Sequence, residues 1–314
     1  MARYAIRLTE LTKDYPTGFW RPRPVRALDQ VTLDVEPGEV LGYLGPNGAG
    51  KTTTLKLLMQ LIYPTSGRAE ILGRPAGDIE AKRRLGYLPE LPYFYDSLTA
   101  EELLVYFGGL FGLAPAVART RASTLLDRVG IGAERRRRLR RYSKGMLQRV
   151  GIAQALVNDP EVVFLDEPMS GLDPVGRRDT RELIQSLRGE GRTVFFSSHI
   201  LSDAEALCTR VAIMVKGRLV STGRLADLAF EVQGWELVVS GGERGDLAGL
   251  GLDAVTTTVS DGRHIIELPF DRPPDQVLPE LSRLRFQVVS LTPRHESLED
   301  YFMRLVASRQ EPAA

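Results

Sequence analysis

The sequence predicts an α/β fold: a parallel-sheet core, a mostly helical stretch within it, and a smaller α+β unit towards the C-terminus. Three observations carry this. Up to about residue 228, short apolar runs alternate with longer helical patterns, as strands and crossover helices do in a parallel sheet. One glycine-rich loop lies between such a strand and a helix. From about Trp235 the texture changes to closely spaced strands separated by short helical patterns.

Leu28, Val31, Leu33 and Val35 mark an early strand that ends at the Pro37-Gly38 turn. Val40 to Leu44 is short and almost wholly apolar, as a strand buried on both faces is. Residues 97 to 158 read as mainly helical, and Val162–Leu165 and Thr193–Phe196 are two further buried strands. In the C-terminal part, 229–314, strands are expected at Glu236–Ser240, Ala254–Val259, His264–Leu268 and Phe286–Leu291. Helices are expected at Gly245–Leu250, Pro274–Leu284 and Ser297–Ser308. That order, β-α-β-β-α-β-α, is close to a ferredoxin-like unit with an added helix.

Composition narrows the function. With a net charge of +1, the chain does not have the bulk charge of a nucleic-acid binder, so no nucleic-acid partner is expected. Its single cysteine, Cys208, allows no internal disulfide and suits a reducing cytoplasm. The first residues lack the apolar core of a secretion signal. The longest uncharged run, Leu103–Ala118, is shorter than the ~20 residues a span needs. It contains Gly108, Gly109, Gly112 and Pro115, so it is expected to be a buried helix with its turn. A membrane role would need a second chain to cross the bilayer.

Gly45-Pro46-Asn47-Gly48-Ala49-Gly50-Lys51-Thr52 fits the phosphate-binding pattern G-x-x-x-x-G-K-[ST]. Val40–Leu44 precedes it and a helix begins at Thr53. Glycines let the backbone wrap close to phosphate oxygens with N–H groups turned inward, and the helix N-terminus adds partial positive charge. Lys51 is placed to reach the β- and γ-phosphates, and the Thr52 hydroxyl to bind Mg²⁺. The core is therefore expected to be a P-loop NTPase that binds its nucleotide through Gly45 to Thr53, and the loop alone does not choose between a kinase, a GTPase and a transporter ATPase. Val162–Leu165 runs into Asp166 and Glu167, the pattern of a Walker B strand. Asp166 can hold Mg²⁺, directly or through water, and Glu167 can orient or deprotonate the attacking water.

The remaining motifs resemble the ABC ATPases over about residues 4 to 228. Tyr142-Ser143-Lys144-Gly145-Met146-Leu147-Gln148-Arg149 occupies the place of that family's signature. Ser170-Gly171-Leu172-Asp173-Pro174 looks like its D-loop, Ser197-Ser198-His199 like its switch-histidine loop, and Gly86-Tyr87-Leu88-Pro89-Glu90 like its Q-loop. Tyr15 stands where the family stacks an aromatic on adenine, although Phe19 and Trp20 lie close by. The resemblance implies that Ser143 and the Gly145 N–H bind the γ-phosphate held by a partner's P-loop. It also implies that His199 contacts that phosphate and the water, and that ATP closes a dimer. A homodimer could have two competent sites, with a heterodimer as the alternative. The implied partner is an integral membrane permease, which places the chain in the cytoplasm, peripheral on the inner face of the cell membrane.

Three positions depart from the usual family pattern. Lys144 replaces a glycine, Met146 a glutamine, and Glu90 the Q-loop glutamine, where a carboxylate still offers an oxygen to Mg²⁺. Glu90 and the Ser143–Met146 segment resemble the exporter subfamily of multidrug, polysaccharide and cytochrome-maturation ATPases. The ending Ser297–Phe302 is similar to C-terminal extensions found there. Export is therefore expected over import. The competing reading is a soluble ABC ATPase acting on nucleic acid or ribosomes. The interval between Lys51 and Ser143 carries no sustained heptads, and the chain has one cassette, which disfavours the repair and translation types. Cargo is not encoded here.

Other features are weaker. Arg135–Arg138 with Arg140 and Arg141 make a basic run, read first as a solvated face and alternatively as a contact for anionic lipid or the partner subunit. Tyr93, Phe94 and Tyr95 are candidates for the exposed wall that receives the permease, or for core. His264 and His295 are isolated and expected to be structural, in a C-terminal domain expected to dimerise or regulate.

Overall fold

A computed structural model of the chain describes residues 3–17, 23–228, 232–242, 244–250, 256–259 and 263–307. It divides into two compact units, Met1–Asp227 and Leu228–Ala314. Phe19, Trp20, Arg21, Ala254 and Ser308 lie outside the described residues.

In chain order the first unit contains β1 (Ile6–Thr17), β2 (Arg23–Val35), β3 (Val40–Leu44), α1 (Lys51–Leu58), β4 (Ser66–Ile71) and β5 (Arg74–Pro75). Then come α2 (Ile79–Arg83), β6 (Leu85–Leu88), α3 (Ala100–Leu110), α4 (Pro115–Arg128) and α5 (Lys144–Ala155). It closes with β7 (Val162–Asp166), α6 (Pro174–Gly189), β8 (Thr193–Ser198), α7 (Leu201–Leu207), β9 (Arg210–Val215) and β10 (Arg218–Arg224).

The main sheet has the order β10-β9-β3-β8-β7-β6, parallel from β9 to β6, with β10 antiparallel at the edge. Every residue of β3, β7 and β8 is buried, as a parallel sheet covered on both faces requires. Tyr43, Phe164 and Phe195 fill it, with ring centroids 5.0 Å apart for Tyr43–Phe195 and 5.8 Å for Phe164–Phe195. A second, antiparallel sheet, β2-β1-β4-β5, shares one apolar core with it and with Leu55, Leu57 and Leu58 of α1. Sequence periodicity did not show β1 and β4. Their exposed residues alternate poorly, and β1 has register shifts between Leu8 and Asp14.

α3, α4 and α5 form the helical part. Thr99 and Glu102 make a reciprocal capping box at the start of α3. The Leu103–Ala118 stretch is buried on one side only. Leu103, Leu104, Gly108 and Ala118 are core, whereas Tyr106, Leu110 and Phe111 are exposed. A Cβ on Gly108 would sit 3.1 Å from that of Ala118, so glycine lets α3 approach α4 closely.

The second unit contains β11 (Val232–Ser240), α8 (Arg244–Gly249), β12 (Thr256–Val259), β13 (Arg263–Pro269), α9 (Pro274–Arg283), β14 (Gln287–His295) and α10 (Leu298–Ala307). Its sheet, β12-β13-β11-β14, is antiparallel throughout. This is the strand order of a ferredoxin-like unit. Leu237, Val239, Ile266 and Leu268 pack with Leu247, Val277, Leu281 and Phe286. His264 is buried edge-on against Phe286, as a core histidine, and His295 is exposed.

Candidate nucleotide site

The topology brings the motifs together. β8 lies between β3 and β7, and their C-terminal ends are level: Leu44 pairs with Ser198, and Asp166 with Ser197. The P-loop, the two acids and the switch histidine therefore converge at one edge of the sheet, where ligands bind in open α/β folds. A cavity of about 630 Å³ opens there. Its lining includes Pro46 to Thr53, Glu90, Glu167, Ser170 and His199.

Gly45 cannot carry a side chain, because a Cβ would lie 2.5 Å from the Met214 carbonyl oxygen. Gly50 sits at φ +102°, open to glycine at little cost, with the Ala27 carbonyl 2.6 Å from a built Cβ. Gly50 is also the N-cap of α1 and offers no side chain to its first turn. Three other helices differ: Thr99, Ser143 and Asp173 each cap their own helix with a side-chain oxygen. The first N–H groups of α1 are thus left for a ligand, at the positive end of the helix.

Lys51 is 6 % exposed. Its ammonium donates to the Gly45 carbonyl at 2.6 Å and to the Pro46 carbonyl at 3.3 Å, and lies 3.3 Å from Glu167 Oε1. The other carboxylate oxygen, Oε2, accepts from His199 Nδ1–H at 2.8 Å. Glu167 is therefore gripped from both sides in a buried setting, where such charge-assisted contacts are strong. Its backbone is at φ +48°, a left-handed conformation uncommon for a non-glycine residue. Ser197 holds it there. Its Oγ accepts from Glu167 N–H at 3.0 Å and donates to Asp166 Oδ1 at 2.6 Å.

Thr52 Oγ1 also donates to Asp166 Oδ1, at 3.3 Å. Burial pushes the Asp166 carboxyl pKa up. The hydrogen bonds from Ser197 and Thr52 oppose this, and the charges of Glu90 and Glu167 add to it. Thr52, Asp166 and Glu90 supply only oxygen donors, in an electronegative corner, and so fit a hard divalent cation. No group of three or more His, Cys, Asp or Glu that could hold a metal occurs among the described residues.

The signature lies elsewhere. Ser143 caps α5 by accepting from Met146 N–H at 3.2 Å. With Lys144 and Gly145 it lines a separate depression walled by Gly171, Leu172 and Asp173. The tail of Lys144 lies across Gly171, whose φ of +69° suits glycine. Gln148 of α5 donates to the Pro168 carbonyl at 3.1 Å, tying the signature helix to the loop after Glu167. Tyr15 stands apart from the cavity lining, on β1 and paired with Val25. The Lys13 ammonium lies over its ring, 5.2 Å from the centroid.

Sequence reasoning gave Ser197 no role beyond its loop. Its signal was a small hydroxyl at the end of an otherwise apolar strand. The left-handed backbone of Glu167 left no trace in the sequence.

Comparison with known proteins gives the family. The ABC transporter family profile matches residues 28–170. The chain is 45% identical over 306 residues to an uncharacterized ABC transporter ATP-binding protein of Synechocystis sp., covering 97% of this chain and 85% of that one. It belongs to the ABC transporter ATP-binding proteins. This ABC ATPase is also 41% identical to the bacitracin transport ATP-binding protein BcrA of Bacillus licheniformis, over 68% of each chain. Its fold resembles the dimeric, post-hydrolysis cassette MJ0796 bound to ADP and Pi. That similarity has a TM-score of 0.65 at 25% identity and covers 70% of this chain and 98% of that one. The chain is an ATP hydrolase of the ABC type that binds ATP, with a P-loop NTPase core. Among its described residues, no helix is long and apolar enough to cross a membrane.

Proposed function

We propose that this ABC ATPase powers export through a separate membrane permease, as a cytoplasmic dimer held at the inner face of the cell membrane. The observation that carries the reading is the separation of the two half-sites. The signature residues Ser143 and Gly145 line a different cavity from the one that the P-loop of their own chain lines. A second copy, or a related chain, would bring its signature to this P-loop, and two identical chains would make two such sites.

In that dimer the N–H groups of α1 and the Lys51 ammonium hold the β- and γ-phosphates. Thr52 and Asp166, with Glu90 beside them, would hold Mg²⁺, which when bound neutralises phosphate charge. The Ser143 hydroxyl and the N-terminal N–H groups of α5, Gly145 among them, meet the γ-phosphate from across the interface. Glu167 takes a proton from water as the water oxygen bonds to the γ-phosphorus. The bond from that phosphorus to the bridging oxygen breaks, and the electron pair leaves on ADP. His199, anchored through Nδ1–H, keeps Glu167 oriented; its Nε2 accepts from the attacking water in the neutral ring and donates to the phosphate when the ring is protonated. Tyr15 stacks on adenine.

Export is supported by the likeness to BcrA, whose name records bacitracin transport, and by Glu90 in the Q-loop. Tyr93 and Tyr95, 90% and 62% exposed, would form the wall that receives the permease. The C-terminal unit would add dimer contacts or regulation. Affinity capture from native membranes followed by mass spectrometry tests the reading. A stoichiometric multi-span protein is expected; ribosomes or DNA with no membrane protein would overturn it.

A further inference from the structure

The arginine run between α4 and α5 is displayed rigidly rather than left as a loose solvated tail. Its backbone is stitched to residues 96–101. Leu139 N–H donates to the Leu98 carbonyl at 2.8 Å, Arg140 N–H to the Asp96 carbonyl at 3.3 Å, and Glu101 N–H to the Arg135 carbonyl at 3.2 Å. Thr99 and Arg138 form an antiparallel bridge. Leu139 and Tyr142 are buried pegs, and the Tyr142 hydroxyl donates to the Glu134 carbonyl at 2.6 Å.

Arg135 is the arginine of the run most fully engaged within the chain. Arg135 donates to the Gly132 carbonyl at 2.7 Å and pairs with Asp127 at 2.8 Å. Arg136 is 88% exposed and only approaches Glu101, at 3.7 Å. Arg137, Arg138, Arg140 and Arg141 are exposed and have no carboxylate partner among the described residues. The nearby acids offset them only in part. Glu102 is engaged in the Thr99 cap and feels the charge of Arg138 without forming an ion pair, and neither Asp96 nor Glu134 forms an ion pair with the run. Four exposed guanidinium groups carried on one short segment present positive charge to an anion, and guanidinium matches phosphate oxygens bidentately.

The stitched segment continues directly into Tyr93 and Tyr95, and Tyr95 meets Tyr106 edge-on at 6.2 Å. Exposed tyrosine beside arginine is the chemistry of a membrane–water interface. We infer that Arg137, Arg138, Arg140 and Arg141 form a docking ridge for the anionic headgroups of phospholipids, next to the tyrosine wall. The inference rests on the reading that the partner lies in a membrane. The near-neutral charge of the whole chain favours such a local contact over a polyanion bound along the surface.

Flotation of the full chain with vesicles tests this. Binding is expected with phosphatidylcholine vesicles containing phosphatidylglycerol and not with phosphatidylcholine alone, and it should fall in high salt. Replacing the four arginines with glutamine should weaken binding by about fivefold per residue, with nucleotide affinity unchanged. Lysine at the same positions should restore most of it. The lipid and salt series uses the unsubstituted chain, so it decides even where the glutamine variant misfolds. Equal binding to neutral vesicles, no binding to either, or displacement from anionic vesicles by a short RNA at comparable concentration would overturn the proposal. Capture of a permease without vesicle binding removes the ridge alone; vesicle binding without a membrane partner removes the permease reading alone.

Discussion

At the P-loop cavity, Lys51, Asp166 and Glu167 are each less than a tenth exposed; Lys51 pairs with Glu167, and Ser197 and Thr52 hold Asp166. At the signature depression, Ser143 and Lys144 are open to solvent and the walls are Gly171, Leu172 and Asp173. The first region bears the desolvation of charge within one chain, so its chemistry is organised before any partner arrives. The second is a capped helix end that stays in water and, in the proposed dimer, meets phosphate only when another surface covers it. A group buried among opposite charges can be tuned for reaction, whereas an exposed one can be made strong only by assembly.

That contrast can be broken in four ways, taken from the largest effect to the smallest. Glu167→Gln keeps the volume and the contact to His199 but removes the proton acceptor. Steady-state ATP hydrolysis should drop by about 10²–10⁴-fold, and size-exclusion chromatography should show an ATP-bound dimer that persists. Undiminished turnover would remove Glu167 from its role. Lys51→Ala deletes a charged contact of the kind worth about 1.5–3 kcal/mol, so calorimetry should show ATP affinity lower by roughly 10–100-fold.

Ser143→Asp separates the cap from the phosphate contact. Aspartate caps α5 as well as serine does, so the melting temperature should hold, whereas Ser143→Ala should cost about 1 kcal/mol. The added charge would repel a γ-phosphate arriving from the partner. ATP-driven dimerisation should weaken by at least about tenfold, given the size of a lost phosphate contact, while ATP affinity of the single chain stays unchanged. If dimerisation is unaffected, the signature does not meet phosphate.

Asp166→Asn should cut Mg²⁺-dependent hydrolysis and yet stabilise the fold. The Asp166 pKa is raised, so the folded chain holds its proton more tightly than the unfolded chain does. Stability is then lost as pH rises through the region above the ordinary carboxylate value, and the cost persists at neutral pH. Asparagine keeps an oxygen for Ser197 and Thr52 without the charge. A gain of roughly 1 kcal/mol, or about 2–4 °C, is expected by calorimetry near neutral pH and should vanish in acid. A lower melting temperature at neutral pH would mean that the carboxylate is net stabilising.

Much of the site was legible because its parts are contiguous in sequence. The strand–loop–helix of Val40–Leu58 and the apolar run ending in Asp166-Glu167 are local patterns whose chemistry follows from residue type. The buried strands β3, β7 and β8 were legible for the same reason, since they read as short apolar runs. Ser197 was not, because its two partners lie at the end of β7 and on the residue just after it, some thirty residues earlier in the chain, and only sheet order brings them together. Tyr106, Leu110 and Phe111 could not be told from core, because an apolar helix looks the same whichever face a neighbour covers.

Sequence by itself determined the chemical inventory: a phosphate loop, two acids at a strand end, a histidine after a strand and a serine at a helix start. Tertiary structure alone decided which of these meet. By setting β8 between β3 and β7, it placed Glu167 between Lys51 and His199 and left Ser143 in a separate depression. The physical reason is that residue type carries charge and hydrogen-bonding capacity, whereas burial and distance, which set how strong those groups become, arise only when elements remote in sequence pack together.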